Sequence, residues 1–224
     1  MTDPTERRAD SARGPLVRAA AQQFAHKPYS VVNLDDVVAA VEVSRGAMYF
    51  HFPSKQALAW AVIEEADKLG RQAAAGVLAN KLSGLETLID LSYLTAVLDI
   101  CEDWARAGLH LLGSIGRTDD LEGRTLREVT GALAQIARRA ATEGDITQEC
   151  DPQDVAHLLV SMYVGLRHTS DLDKPEQFLN DLEKAWILLL PGFANPERMR
   201  YLSQFVRRRT VVASGKVSSQ PDHP

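Results

Sequence analysis

The stretch from Ser44 to Lys55, SRGAMYFHFPSK, brings together side chains suited to one kind of chemistry. Ser44, Tyr49, His51 and Lys55 can each donate a hydrogen bond, and such donors suit the oxygens of a phosphate backbone. Arg45 carries a planar guanidinium able to bind guanine through two parallel hydrogen bonds, which makes it the expected base reader. Gly46 and Ala47 beside it keep a helix slim at the end that meets base edges. A free helix N-terminus at Ser54–Gln56 would add backbone N–H groups for phosphate. Such a set suits recognition of double-stranded nucleic acid rather than bond-making, while a Ser cap followed by aromatics is, taken alone, also the pattern of an ordinary helical core.

These residues need a frame to hold them. Asn33 is expected to cap a helix whose apolar stripe is Leu34, Val37, Val38 and Val41, with Ala39 and Ala40 small enough for a crossing. After the turn Val41-Glu42-Val43, Ser44 caps a short helix that ends at Phe52-Pro53-Ser54. Met48, Phe50 and Phe52 are its candidate anchors from behind. Two short helices joined by such a turn form a helix-turn-helix. Leu16, Ala20 and Phe24 mark a preceding helix that closes near His26-Lys27-Pro28. Ser54 caps a long one through Leu58, Ala61 and Ile63 toward Asn80.

Period 3.6 recurs along the rest of the chain and no bounded run alternates with period two, so the fold class is all-α. Further helices are expected near 85–100, 104–115, 121–142, 152–170, 175–190 and 196–209. Pro152, Pro175 and Pro196 stand at three of the starts, where proline is tolerated. Gly116–Asp120 and Gly144-Asp145 read as connections. The domain plan is a disordered arm over 1–12, a helix-turn-helix domain over 13–58, a larger helical domain over 59–209 and a disordered tail over 210–224.

Composition narrows the function class. The 224 residues include 25 Lys and Arg against 30 Asp and Glu, and carry a net charge of −5. Within 1–58 the cations Arg7, Arg8, Arg13, Arg18, Lys27, Arg45 and Lys55 nearly cancel against Asp3, Glu6, Asp10, Asp35, Asp36 and Glu42. The case for DNA therefore rests on motif geometry, not on a basic footprint. No apolar run reaches the ~20 residues of a membrane span. No secretory leader is visible, and Cys101 and Cys150 form no C-x-x-C pair, so a cytoplasmic setting without a disulfide scaffold is expected. Neither G-x-S-x-G nor a phosphate-cradling G-x-x-x-x-G-K-S/T occurs, so the chain is expected not to be an enzyme. No cofactor is expected either. A helical enzyme with a scattered site, or an adaptor that has lost DNA reading, are the competing readings.

The segment Val32–Leu58 resembles the TetR family of bacterial regulators, whose helix-turn-helix leads into a small-residue patch, Tyr, Phe and a Lys opening the fourth helix. Gly46, Tyr49, Phe52, Lys55 and Leu58 stand at those places. The resemblance implies phosphate roles for Ser44, Tyr49, His51 and Lys55, with Arg45, Gly46 and Ala47 facing the bases. Gly46–Phe52, Arg106–Leu109, Asp154–His157 and Trp186–Leu190 are also similar to the γ-butyrolactone receptor branch, which implies a repressor released from DNA by a small-molecule effector. Leu126 stands about where that branch carries its pocket tryptophan.

The second domain is read more coarsely. Trp104, His110, Leu111, Leu126, Tyr163 and His168 are the candidates for a mostly apolar ligand cavity with a few polar groups. Val155, Leu159, Met162, Leu166, Phe178, Leu182, Trp186 and Leu189 recur at helical spacing. By resemblance they are the candidate homodimer interface, since a repressor reading a two-fold operator needs two spaced heads. His157 and His168 share a helix face but lie roughly 16 Å apart along it, so no metal site is expected.

Overall fold

The computed structural model describes residues 4–41, 43–115 and 121–219. The expectations for residues 1–3, Glu42, the connection 116–120 and the tail end 220–224 lie outside them. Ten α-helices are present among the described residues: α1 (Pro4–His26), α2 (Leu34–Ala39), α3 (Arg45–His51), α4 (Lys55–Leu78), α5 (Gly84–Cys101), α6 (Asp103–Ile115), α7 (Leu121–Thr142), α8 (Pro152–Thr169), α9 (Pro175–Leu189) and α10 (Met199–Ser218). None of them is long and apolar enough to cross a membrane. The chain divides into two compact units, residues 1–71 with 102–122 and residues 72–101 with 123–224.

The first unit is built from α1, α2, α3, the first part of α4, and α6. Leu16, Ala20 and Phe24 of α1, Val37 of α2, Met48 of α3, Leu58 and Val62 of α4, and Leu111 of α6 share one buried core. Small residues let its helices approach closely. Ala107 and Ala20 are fully buried, and a Cβ on Gly108 would fall inside contact distance of the Ala66 side chain. His110 Nδ1 lies 3.1 Å from the Phe24 carbonyl oxygen, and His26 meets Asp103 at 2.9 Å, so α6 is tied to α1 by polar contacts as well.

Three domain expectations change here. The helix-turn-helix unit does not end at Leu58, because Ala59, Ala61, Val62 and Ile63 belong to the same buried cluster. The segment α6, expected in the second domain, supplies part of the first core. The arm expected to be disordered over 1–12 is helical from Pro4. Ala39 and Ala40, expected at a helix crossing, face outward, and Val37 and Val38 make that contact instead.

The second unit contains α5 and α7–α10. Leu85, Leu88 and Ile89 of α5 pack with Phe178, Leu182 and Trp186 of α9 and with Leu202 and Val206 of α10. Buried polar groups are paired, as burial requires. Trp186 Nε1 donates to Ser92 Oγ at 2.8 Å, and the Tyr93 and Thr210 hydroxyls meet at 2.7 Å. Gly144 takes φ +81°, a left-handed conformation that suits glycine, just past the end of α7. The tail expected from residue 210 is instead helical to Ser218, with Thr210 and Ala213 buried, because α10 still has a core to cover.

Gly84 is required for a different reason. A Cβ there would overlap the Ala140 backbone of α7. Gly84→Ala should therefore force the two helices apart and cost about 1–3 kcal/mol. A thermal melt would show it as a Tm lowered by about 2–4 °C for each kcal/mol. An unchanged melt would mean that α5 and α7 can separate freely.

Candidate nucleic-acid interface

The short helix α3 forms where it does because both ends are specified locally. Ser44 sits at φ −75° and ψ 151°, and its Oγ accepts the Ala47 N–H at 3.1 Å, which caps the helix. Its hydroxyl proton stays available to donate. At the other end Phe52 turns to extended backbone ahead of Pro53, and Ser54 Oγ accepts the Ala57 N–H at 3.1 Å to start α4.

Met48 and Phe52 are buried, with 0% and 3% exposure, and they hold α3 onto the first core. Arg45, Gly46, Tyr49 and Phe50 are exposed. One face of the helix is thus anchored and the other is open to solvent. Gly46 has nothing near its missing side chain except Ser44 Oγ at 3.8 Å, so it leaves open space above the helix. Ala47 and His51 are half-buried on the flanks, His51 stacking edge-on to Phe50 at 5.2 Å between ring centroids.

Phe50, a candidate anchor of α3 in the sequence, is corrected by the structure. It is 73% exposed, a large aromatic ring facing water at the outer surface of a short helix. Helical periodicity carried the signal: Met48 and Phe52 are four apart and share a face, whereas Phe50 is two residues from each, at about 100° per residue. An apolar ring on this face is suited to contact with a thymine methyl group.

Arg45 is not idle in the absence of DNA. Its Nη2 donates to Asp35 Oδ2 at 2.5 Å, from the recognition helix back to α2. The pair is exposed, with side chains at 69% and 48%, so releasing it costs at most about 1 kcal/mol. Asp35 thus pre-sets the guanidinium without locking it. This partner was missed in the sequence, where Asp35 reads only as an acidic residue in the first turn of a helix.

Lys55 departs furthest from a simple phosphate contact. Its Nζ donates to the Val32 carbonyl at 2.8 Å and to the Ser30 carbonyl at 3.3 Å, and lies 4.6 Å from the Tyr29 ring centroid. The ammonium therefore ties the α1–α2 connection to the start of α4. An ammonium has three protons, so one remains for a phosphate oxygen.

The six candidate cavity residues are divided between the two units. Leu111 is buried in the first core, Trp104 packs against that core, and His110 is bonded to α1. In the second unit Leu126 is half-buried and His168 is exposed. Tyr163 donates to Asp99 Oδ2 at 3.3 Å, and Arg167 Nε donates to the same oxygen at 2.8 Å. Burial and the Asp99 carboxylate raise the Tyr163 pKa well above its ordinary value, so it remains a hydrogen-bond donor.

The interface candidates also need correction. Phe178, Leu182 and Trp186 are 0% exposed, and Val155 and Leu159 are 4% and 5% exposed, all within the second unit's own core. Met162, Leu166 and Leu189 pack against that core from its edge. The apolar side chains that α8 and α9 leave in solvent are Leu158, Val164 and Leu188. The periodic stripe was real, but it faces inward, and the outward stripe lies on the opposite side.

Known proteins resemble the chain in both halves. Residues 16–62 match the model of the bacterial regulatory proteins of the tetR family. The A-factor receptor protein of Streptomyces griseus is 26% identical over 188 residues, which cover 81% of this chain and 63% of the receptor. The chain thus spans somewhat less than two thirds of that relative. A γ-butyrolactone receptor described as ArpA-like matches with a TM-score of 0.77 and 28% identity, over 92% of this chain and 99% of its own. CprB from Streptomyces coelicolor, solved in complex with its biological operator sequence, matches at TM-score 0.73 and 27% identity, over 95% of this chain and all of its own (100%). The open face of α3, the family model laid over it and the similarity that continues into the second unit agree: residues 16–62 match the tetR family of bacterial regulatory proteins, and the chain as a whole is similar to γ-butyrolactone receptors.

Proposed function

We propose that the chain is a homodimeric transcriptional repressor that reads a two-fold symmetric operator through α3 and leaves it when a small-molecule effector binds. The observation that carries this reading is the capped helix α3, anchored by Met48 and Phe52 while Arg45, Gly46, Tyr49 and Phe50 stay exposed. Arg45 reads a base edge, Phe50 packs on an apolar one, and Ser44, Tyr49, His51 and Lys55 hold phosphates. The operator-bound state of CprB and the receptor descriptions of the other relatives support the same assignment. An effector of the γ-butyrolactone type is the class those relatives suggest.

Release requires the effector to favour a DNA-incompetent state by its differential affinity. The helix α4 begins at Lys55, which holds the α1–α2 connection, and continues without a break into the second unit. It is the natural element to carry that coupling. Unbiased selection of bound DNA fragments tests the whole reading. The expected result is enrichment of a two-fold site, and absence of enrichment refutes operator recognition.

Arg45→Ala should weaken binding to the selected site by about 1–3 kcal/mol and relax the preference at one base position in each half-site. Asp35→Asn frees the guanidinium and should alter the same position without lowering the salt dependence. Fluorescence anisotropy on a panel of single-base operator variants distinguishes these outcomes. Uniform weakening over every variant would reassign Arg45 to a phosphate.

A further inference from the structure

A cavity of about 190 Å³ lies in the second unit where α5 and α10 meet the end of α4. Its apolar wall comes from Val77, Leu94, Val97 and Val212, and its polar wall from Asp90, Arg209 and Lys216. None of these side chains is used in the DNA reading or among the sequence-derived ligand candidates. We propose that this cavity is a binding site for a small amphipathic carboxylate of about the size of benzoate.

The size argument comes first. An apolar cavity of ~150 Å³ accommodates benzene. This one, half open to solvent, therefore has room for a single ring or a short acyl chain with a small polar head. One apolar wall and one charged wall call for a ligand with both characters, since a fully apolar one would leave the charges without partners.

Charge then selects the head group. Asp90, 9% exposed, is engaged by Arg209 through Nη2, so the carboxylate and guanidinium neutralise each other. Lys216 remains as the uncompensated charge on the wall. The helix that supplies it, α10, contains Arg200, Arg207, Arg208, Arg209 and Lys216 and no Asp or Glu. An ammonium or guanidinium ligand would meet this excess, whereas a carboxylate would be drawn to Lys216. Arg209 Nε also lies against Asp90 Oδ1, so the carboxylate holds the guanidinium through two nitrogens, and Lys216 is the group placed to meet a ligand anion.

Titration calorimetry with sodium benzoate and its neutral isostere benzamide tests the site directly and needs no DNA. Full-length protein should bind benzoate saturably and benzamide about tenfold more weakly or worse. Lys216→Gln, an exposed change near the end of α10, should lower benzoate affinity about tenfold and leave benzamide unchanged. Leu94→Trp should fill the cavity and abolish both. Should Leu94→Trp fail to fold, as circular dichroism would show, the Lys216→Gln comparison decides alone. Equal binding of the two probes, benzoate binding unaffected by Lys216→Gln, or no saturable benzoate binding would each overturn the proposal.

Discussion

A chain carrying Leu158→Glu and Val164→Glu is expected to stay folded, to sediment as a monomer, and to lose operator affinity by about 10²–10⁴-fold. Leu158 is 40% exposed and Val164 is 38% exposed, on a stripe of α8 that also presents His157, Ser161 and Gly165 to solvent. Exposed apolar side chains on a helix lose little when made acidic in the monomer, because neither contributes much to its core. Across a two-fold contact, however, each charge is placed in a desolvated surface and faces its own copy. Neither head is then held near the second half-site, and the gain from joining two weak binding events disappears. Sedimentation velocity and operator titration on the same sample check both parts. A variant that remains dimeric moves the interface to other residues.

Trp186→Ala is expected to do the reverse, costing about 3–5 kcal/mol of folding stability. The indole is fully buried and donates to Ser92 Oγ at 2.8 Å, so the substitution leaves both a large void and a hydroxyl without its donor. Against a typical total of about 5–15 kcal/mol, a loss of that size threatens the second unit as a whole. Urea unfolding followed by far-ultraviolet circular dichroism measures it without relying on the lost fluorophore. A loss below about 1 kcal/mol would return Trp186 to the interface, since a core indole of this volume cannot be removed so cheaply. The two variants separate the exposed side of α8 from the buried stripe to which periodicity assigned the interface.

That grouping shows where sequence reading ends. Both ends of α3 were legible because they depend on neighbours: Ser44 accepting the Ala47 N–H, and Pro53 following Phe52, are local events. The helix starts at Asp151-Pro152 and Lys174-Pro175 were legible for the same reason. By contrast, α8 and α9 carry apolar residues on more than one side, and periodicity does not reveal which side meets α5. The same ambiguity misplaced α6, because an amphipathic pattern does not say which core it faces. Its place against α1 depends on close approach at Ala107 and on the contact of His110 with Phe24, partners far apart in the chain.

The sequence by itself thus determined the all-α class, the position of the helix-turn-helix and its resemblance to the TetR family, since capping, turns and motif spacing act over a few residues. Tertiary structure alone decided that Phe50 faces out while Met48 faces in, that Asp35 holds Arg45, and that Trp186 is core rather than surface. It also placed Asp90, Arg209 and Lys216 around one cavity. The physical reason is common to all of these. Burial and pairing are properties of surfaces brought together by the fold, and helical spacing specifies a face without specifying its neighbour.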